Sequence, residues 1–348
     1  MDMLLRCDVV TLTTLMLLMV VVPNVMSVHL PRPSGKLGVY ALPVGQGDCT
    51  IIQCPKPSGN IVVMDCGTSG GNRFSSKDVE NFLGSQINKV VAIMITHPDR
   101  DHFNYLPQIN WNRKGIGAVI IGGTPQNYYR SNNNEFKMIY NFLMDADKAG
   151  KLYTISNGQK CIGNCALQNI GTDFCGNKNI QFQILAANVR SRSNQKSIVM
   201  KIVVGKWSML LSGDMEGAAA TQIAKSLGSH LHSTVYKMSH HGASSQANRI
   251  KWLTPIKPKY AFASSGYNHG NNRHPRCDAV QRLLSLGTIV HAKGHSFYCG
   301  NRRGVGPTTY DNFKWHIYET SPRSNEVCIL AYYSNEKFIQ HCMRIPLV

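Results

Sequence analysis

The chain has no Cys-x-x-Cys pair and no Asn-x-Ser/Thr sequon. The first absence argues against a paired-cysteine zinc site. The second means that N-linked glycans are not expected. No segment recurs at the spacing of helical or propeller repeats, so a solenoid or propeller is excluded. Beyond residue 22 no apolar run is long enough to cross a bilayer. Acidic residues are scarce: 19 Asp and Glu stand against 37 Lys and Arg, a formal charge of +18 over 348 residues. That balance favours polyanionic partners, phosphate-rich ones above all, among them nucleic acid. Histidine is missing from one long interval, Phe103 through Gly213.

The N-terminus carries Arg6, an apolar stretch over 9–22, Pro23 and then Val25-Met26-Ser27. A basic start, an apolar centre and small residues at the −3 and −1 positions read as a secretory signal peptide over 1–27. Without that segment, which holds Asp2, Arg6 and Asp8, the remainder carries about +19 and would have no membrane contact of its own. Of 11 cysteines, Cys7 falls in the signal, and the even ten that remain predict up to five disulfides in an exported chain. Spacing favours Cys328–Cys342 across two C-terminal strands and fits Cys277–Cys299; the other pairings stay open.

Apolar alternation and turn residues predict strands over 37–42, 50–53, 60–64, 90–95, 117–121, 180–185, 198–204, 207–211, 234–238, 260–264 and 288–291, with three more in the tail. Helical spacing predicts helices over 76–83 with Ser76 as N-cap, and over 102–109, 135–149, 215–227, 246–253 and 277–285. Residues 153–178 read as a disulfide-pinned insertion. The alternation predicts an α/β chain of two sheets packed face to face with helices outside. Residues 28–298 would form one domain and 299–348 a β-rich extension packed on it.

The chemistry sits at strand ends. His97, Asp99, Asp101 and His102 fall within six residues directly after the apolar run 90–95. So many carboxylates and imidazoles at one buried strand end need a cation between them, and a divalent metal site is the simplest solution. Met64-Asp65-Cys66-Gly67, Ser212-Gly213-Asp214 and Ser239-His240-His241-Gly242 repeat the design of a strand that stops and presents a ligand.

In this order the motifs resemble the metallo-β-lactamase superfamily, and within it the hydrolase-like domain of ComEC-type competence (DNA-uptake) proteins. Val44-Gly45-Gln46-Gly47-Asp48 is similar to that group's opening motif, Thr96 to His102 to its metal motif, and the segment from Asn268 to Pro275 to its late Asn-x-Tyr-Gly-His-Pro stretch. The resemblance covers roughly 37–295. It implies a metallo-β-lactamase-like αβ/βα four-layer sandwich with two mixed β-sheets and one or two divalent ions, Zn or Mn. It also implies His97 and Asp99 on one ion, Asp101, His102 and His240 on the other, Asp214 bridging, and Asp65 behind the site. His241 is the alternative to His240. Asp101 is also the candidate catalytic residue, orienting the attacking water.

The chain departs from the pattern in lacking a histidine between the metal motif and Asp214. Together with Asp99 in place of a second histidine, this favours a harder ion such as Mn²⁺. Lys237, Arg273 and His274 are candidates to neutralise phosphate, and backbone N–H groups up to Ser244 to hold an oxyanion. Arg190, Arg192, Lys196, Lys293 and Arg302-Arg303 could meet a nucleic-acid backbone, and Tyr128, Tyr129 and Tyr267 could stack on bases. The expectation is a secreted metal-dependent hydrolase, a phosphodiesterase or nuclease. The alternatives are a hydrolase of a small lactone, thioester or lactam, and a non-catalytic cationic binding protein with a degraded metal site.

Overall fold

The computed structural model describes residues 29–35, 37–42, 44–70, 75–163, 165, 173–244, 247–265 and 274–288 in full, and the backbone of 289–290 and of five later strands. The expected signal segment, Arg273, Tyr267, Lys293 and Arg302-Arg303 lie outside the described residues.

The first sheet is built on β1 (Leu37–Ala41), β2 (Cys49–Gln53), β3 (Ile61–Cys66), β4 (Val90–Ile95), β5 (Ala118–Ile121) and β6 (Leu152–Thr154). β1 to β3 are antiparallel, whereas β3 to β6 run parallel. The second sheet holds β7 (Cys161–Ile162), β8 (Ile180–Ala187), β9 (Val199–Val204), β10 (Trp207–Leu211), β11 (Val235–Lys237), β12 (Tyr260–Phe262) and β13 (Ile289–Val290). It is antiparallel from β7 to β10 and parallel from β10 to β13. A hairpin follows, β14 (His295–Tyr298) with β15 (Pro307–Tyr310). Then β16 (Glu319–Thr320), β17 (Glu326–Tyr332) and β18 (Phe338–Arg344) extend the first sheet beyond β1. The β17–β18 register sets Cys328 directly opposite Cys342.

Period-two alternation assigns the faces of the second sheet. Met200 and Ile202, Trp207, Met209 and Leu211, Val235, and Tyr260 and Phe262 join the core shared with the first sheet; Leu210, Tyr236 and Ala261 join a second core on the other side. Helices α3 (Gly217–Leu227), α4 (Ile250–Ile256) and α5 (Cys277–Ser285) cover that outer face with Ile223, Trp252, Leu253 and Leu283. On the far side of the molecule α1 (Ser76–Leu83) and α2 (Asn134–Lys148) bury Val79, Phe82, Phe136, Ile139 and Leu143 against the first sheet. The layers are therefore helix, sheet, sheet, helix: the expected αβ/βα sandwich with two mixed sheets.

Three helical expectations need correction. The N-cap of α1 is Ser75, not Ser76, because Ser75 and Asp78 close a reciprocal capping box. No helix spans 102–109; short 3₁₀ turns at Arg100–His102 and Leu106–Gln108 take its place. Asn104 exchanges hydrogen bonds with the Thr68 backbone and Tyr105 N–H donates to Cys66 C=O, so this stretch is tied to the exit of β3. The fourth helix begins at Ile250, since Asn248 Nδ2 donates to the carbonyls of Ser239 and Ala243 and holds the preceding residues in a loop.

Three disulfides are formed among the described residues: Cys49–Cys66, Cys54–Cys175 and Cys161–Cys165. Cys277 is also disulfide-bonded. Such bonds fit an oxidising compartment. No helix of the described residues is long and apolar enough to cross a membrane. The Cys54–Cys175 bond, with Asn60 Nδ2 donating to Phe174 C=O, pins the end of the insertion to the β2–β3 turn. It closes a loop of sequence separation 121. Replacing both cysteines by serine is expected to lower unfolding stability by about 2–4 kcal/mol, read by urea denaturation under non-reducing conditions; an unchanged midpoint would contradict the assigned anchoring role.

Candidate metal centre

Each strand that carries a motif stops at the same edge of the sandwich. β3 carries Asp65 in its last two residues, β4 runs into Thr96-His97, β10 into Gly213-Asp214, and β11 into Ser239-His240-His241. Three of these exits use backbone conformations that L-residues rarely adopt. Asp65, His240 and His241 have φ of 55°, 50° and 54°. Gly213 has φ of 52°, and a Cβ there would lie 2.8 Å from Thr96 Oγ1 and 2.9 Å from Ser197 Oγ. Only glycine lets the strand turn so close to its neighbours.

Asp65 is the buttress. Its carboxylate accepts from Thr96 N–H at 2.7 Å, Thr96 Oγ1 at 2.8 Å and His102 Nδ1 at 2.9 Å. The Thr96 hydroxyl in turn lies 3.0 Å from His97 Nδ1, placed to accept its proton. His241 Nδ1 is held by Ser264 C=O at 2.8 Å. All three imidazoles thus have Nδ1 engaged and present Nε2 inward. These Nε2 atoms, and Asp214 Oδ1, are buried without a hydrogen-bond partner. Pinning one ring nitrogen on an oxygen while the other faces a common point is how proteins prepare histidines for a metal.

Asp214 stands at that point. Its carboxylate lies 3.2 Å from His102 Nε2, 3.2 Å from His241 Nε2, 3.8 Å from His240 Nε2 and 3.9 Å from His97 Nε2. Asp99 flanks His97 at 3.5 Å and accepts from Ser193; Asp101 flanks His241 at 3.3 Å. Asp48, His102, Asp214 and His241 form a buried cluster whose ligand atoms all lie within 4.8 Å of one another, and which could hold a metal ion.

The electrostatics report an excess of negative charge. Burial disfavours the charged form of His241, yet Asp214 and Asp101 outweigh it and push the pKa up to about 10. His102 behaves alike: burial opposes its proton, and Asp214 and Asp65 hold the pKa well above the imidazole range. Burial also works against ionised Asp214, but His241, His102 and His240 keep its pKa well below the usual carboxylate range. Asp101 is lowered as well, against burial, by the His241 hydrogen bond and the charge of His102. A divalent cation would take over the task that protons on the histidines perform without it, so the residues fit a metal.

The structure sorts the expected site residues. Of the adjacent histidines, His241 rather than His240 stands beside Asp101 and His102. His240 turns outward, its Nδ1 3.0 Å from Glu216 and 3.5 Å from Asn194 Nδ2. The histidine-free interval thus contributes Ser193 and Asn194 to this flank. Lys237 is not available to a substrate phosphate. Alternation places it on the same face as Val235, toward the first sheet, where it is buried and ion-paired to Asp48. His274 does reach the site: its ring lies 6.3 Å from His241 and 5.7 Å from His240, and Gln46 Nε2 approaches its Nδ1 at 3.2 Å. Burial, then His241 and His240, hold its pKa well below the imidazole range.

Ser244 follows the turn with its carbonyl held by Arg282, and the Ala243 N–H is committed to His240 C=O rather than open to an oxyanion. Tyr128 is fully buried and donates to Gly122 C=O, so it cannot stack on a base; Tyr129 is exposed. Sequence reasoning missed Asp48 and Glu216 as participants. Asp48 lay within the opening motif already singled out, whereas nothing local marked Glu216.

The chain's likenesses to known proteins are distant. No protein-family model matches it. The competence protein ComA of Neisseria gonorrhoeae is 32% identical over 107 residues, 30% of this chain. The chain matches only 15% of the length of that curated relative. Its structural relatives are metallo-β-lactamase-fold proteins. A metallo hydrolase from the archaeon Ignicoccus hospitalis is 15% identical with a TM-score of 0.45, over 79% of this chain and 99% of that one. The metallo-β-lactamase fold protein YhfI from Bacillus subtilis is 8% identical with a TM-score of 0.37, over 79% of this chain and 98% of that one. The fold assignment itself rests on the layers and strand order described above.

Because His102 and His241 hold protons in the metal-free cluster, metal uptake must expel them. Titration calorimetry with Mn²⁺ or Zn²⁺ in buffers of different ionisation heat is expected to register proton release, with affinity falling as pH is lowered. His241→Ala should weaken binding more than His240→Ala; equal losses would contradict the placement of His241 at the centre.

Proposed function

We propose that the chain is an exported metal-dependent phosphodiesterase acting on nucleic acid. The observation that carries this reading is the set of three imidazoles, His97, His102 and His241, turned onto one buried carboxylate, Asp214, with His240 at their flank, in a chain with a formal charge of +18. In this reading His102, His241 and Asp101 would hold one divalent ion and His97 and Asp99 a second, with His240 and Asp214 available to both. Bound ions would supply an activated water and a Lewis-acid contact to the phosphoryl oxygen.

The chain's own residues do the rest. Asp101 remains a carboxylate and keeps contact with solvent, so it accepts a hydrogen bond from the attacking water and orients it. With Gln46 donating to Nδ1, neutral His274 keeps its proton on Nε2 and donates a hydrogen bond from there to a phosphate oxygen. Asp65 fixes two ring orientations, and the Lys237–Asp48 pair balances charge beneath the cluster. The similarity to a competence protein over 107 residues supports nucleic acid as the substrate class.

The test is incubation of the purified chain with plasmid, linear and single-stranded DNA, and with RNA, across Mn²⁺, Zn²⁺ and Mg²⁺. Asp101→Asn should lower turnover by about 10²–10⁴-fold, and Asp65→Asn by about 10–100-fold. Cleavage that survives both substitutions would refute the assignment. Hydrolysis of small esters with no salt dependence, and none of nucleic acid, would move the reading to a small-substrate hydrolase.

A further inference from the structure

The strand β11 ends in a lysine that points inward. Lys237 is only 3% exposed, and lysine is almost never buried unless paired. Its Nζ lies 2.5 Å from Oδ2 of Asp48, which is itself 1% exposed. Burial opposes the charge on Lys237, but Asp48 and Asp214 hold its pKa above the usual lysine value. A fixed positive charge therefore stands at the edge where Asp48, Asp65, Asp99, Asp101 and Asp214 gather.

Asp48 is fixed by its backbone and not by its carboxylate. Its N–H donates to Asp101 C=O at 3.0 Å, and its C=O accepts from Gly67 N–H at 2.9 Å. The next residue, Cys49, is bonded to Cys66. Apart from the contact with Lys237, neither carboxylate oxygen has a hydrogen-bond partner among the described residues. Yet Asp48 lies within ligand reach of the cluster. Its Oδ2 is 3.6 Å from His102 Nδ1, and its ligand atom falls within 4.8 Å of those of His102, Asp214 and His241. Asp48 is thus in position to bind an ion, while its charge is already matched by a lysine.

A cation bound at the cluster would feel this pair in two ways. The ammonium repels it, and strongly, because a buried site screens charge poorly. The carboxylate, paired with the ammonium, is a weaker ligand than a free one. Loss of an oxygen donor matters most to a hard ion such as Mn²⁺, whereas imidazole suits Zn²⁺ well. The alternative is a cross-sheet contact with no bearing on the ion. An apolar side chain of the same length at 237 would then leave metal binding unchanged or weaker.

We propose that Lys237 sets the metal affinity and metal preference of this centre, by holding Asp48 out of the coordination shell and opposing the bound ion with its own charge. The inference rests on the metal-binding part of the reading above and is independent of its substrate.

The experiment titrates the full chain, stripped of metal, with Mn²⁺ and with Zn²⁺ by calorimetry. K237M removes the charge at nearly constant side-chain length. It should bind Mn²⁺ about tenfold or more tightly than the unsubstituted chain, with a smaller gain for Zn²⁺. D48N leaves Lys237 charged without its partner and should bind both ions about tenfold or more weakly. K237M/D48N removes both charges and should return the Mn²⁺ affinity to within about threefold of the unsubstituted value. Thermal unfolding gives a second measurement. In K237M the buried Asp48 is left unpaired, so Mn²⁺ should raise the unfolding temperature further than in the unsubstituted chain. Equal or weaker Mn²⁺ binding by K237M would overturn the proposal. So would an equal gain for the two ions, a double variant that keeps the gain, or a K237M chain that fails to fold even with Mn²⁺. If the unsubstituted chain binds neither ion, the metal reading falls and the proposal with it; if it binds both and K237M shows no gain, the proposal alone falls.

Discussion

The carboxylate of Asp214, buried and confronted by the inward imidazoles of His97, His102 and His241, is the constraint around which this molecule is built. Asp48, Asp65, Asp99 and Asp101 crowd the same strand ends, and Lys237 is a permanently charged cation buried among them. Removing such charges from water costs several kcal/mol for each ion left uncompensated. Protonated histidines meet that cost in the metal-free cluster, as the raised pKa values of His102 and His241 record. Divalent cations meet it better, because each brings two charges to the point where the Nε2 atoms converge.

The architecture exists to hold that crowd in place. Two sheets contribute strand ends to one edge, so ligands far apart in sequence arrive from opposite walls. Their supports are shared. Asp65 steadies His97 through Thr96 and His102 directly, while Ser264 links His241 to the opening motif by donating to Gly47 C=O. Behind the His240-His241 turn, Tyr236, Asn248 and Trp252 close a buried hydrogen-bond network that fixes its left-handed backbone. The Cys49–Cys66 disulfide joins β2 to β3 beside both Asp48 and Asp65. These supporting hydrogen bonds are satisfied on the far side of the rings, while the Nε2 atoms that face Asp214 are left open, so the rigidity of the support keeps the like charges from drifting apart.

Much of this was legible in the chain. The apolar run 90–95 followed by His97, Asp99, Asp101 and His102 announced a buried strand with its ligands at the exit, because few other local patterns put so much charge next to so much apolar surface. Asp65 and Asp214 were legible for the same reason, each at the end of an apolar strand, Asp65 two residues before Gly67 and Asp214 directly after Gly213. The helix expected over 102–109 was not realised, since tertiary hydrogen bonds from Asn104 and Tyr105 outweighed local spacing. Tyr128 looked like an exposed aromatic because burial is a property of what packs above a residue, and nothing nearby in sequence revealed it.

Ordered motifs at strand exits, together with periodicity, determined the layer architecture, the edge that carries the chemistry and the residue types gathered there. These are local properties: a strand's alternation and the residue that ends it are written consecutively. Which of two neighbouring histidines turns inward was decided only in three dimensions, as was the burial of Lys237 against Asp48 and the approach of Glu216 to His240. Those outcomes depend on backbone twist at the turn and on the face presented to the opposite sheet. Partners that meet across a sandwich share no sequence neighbourhood, so only the folded chain brings them into contact.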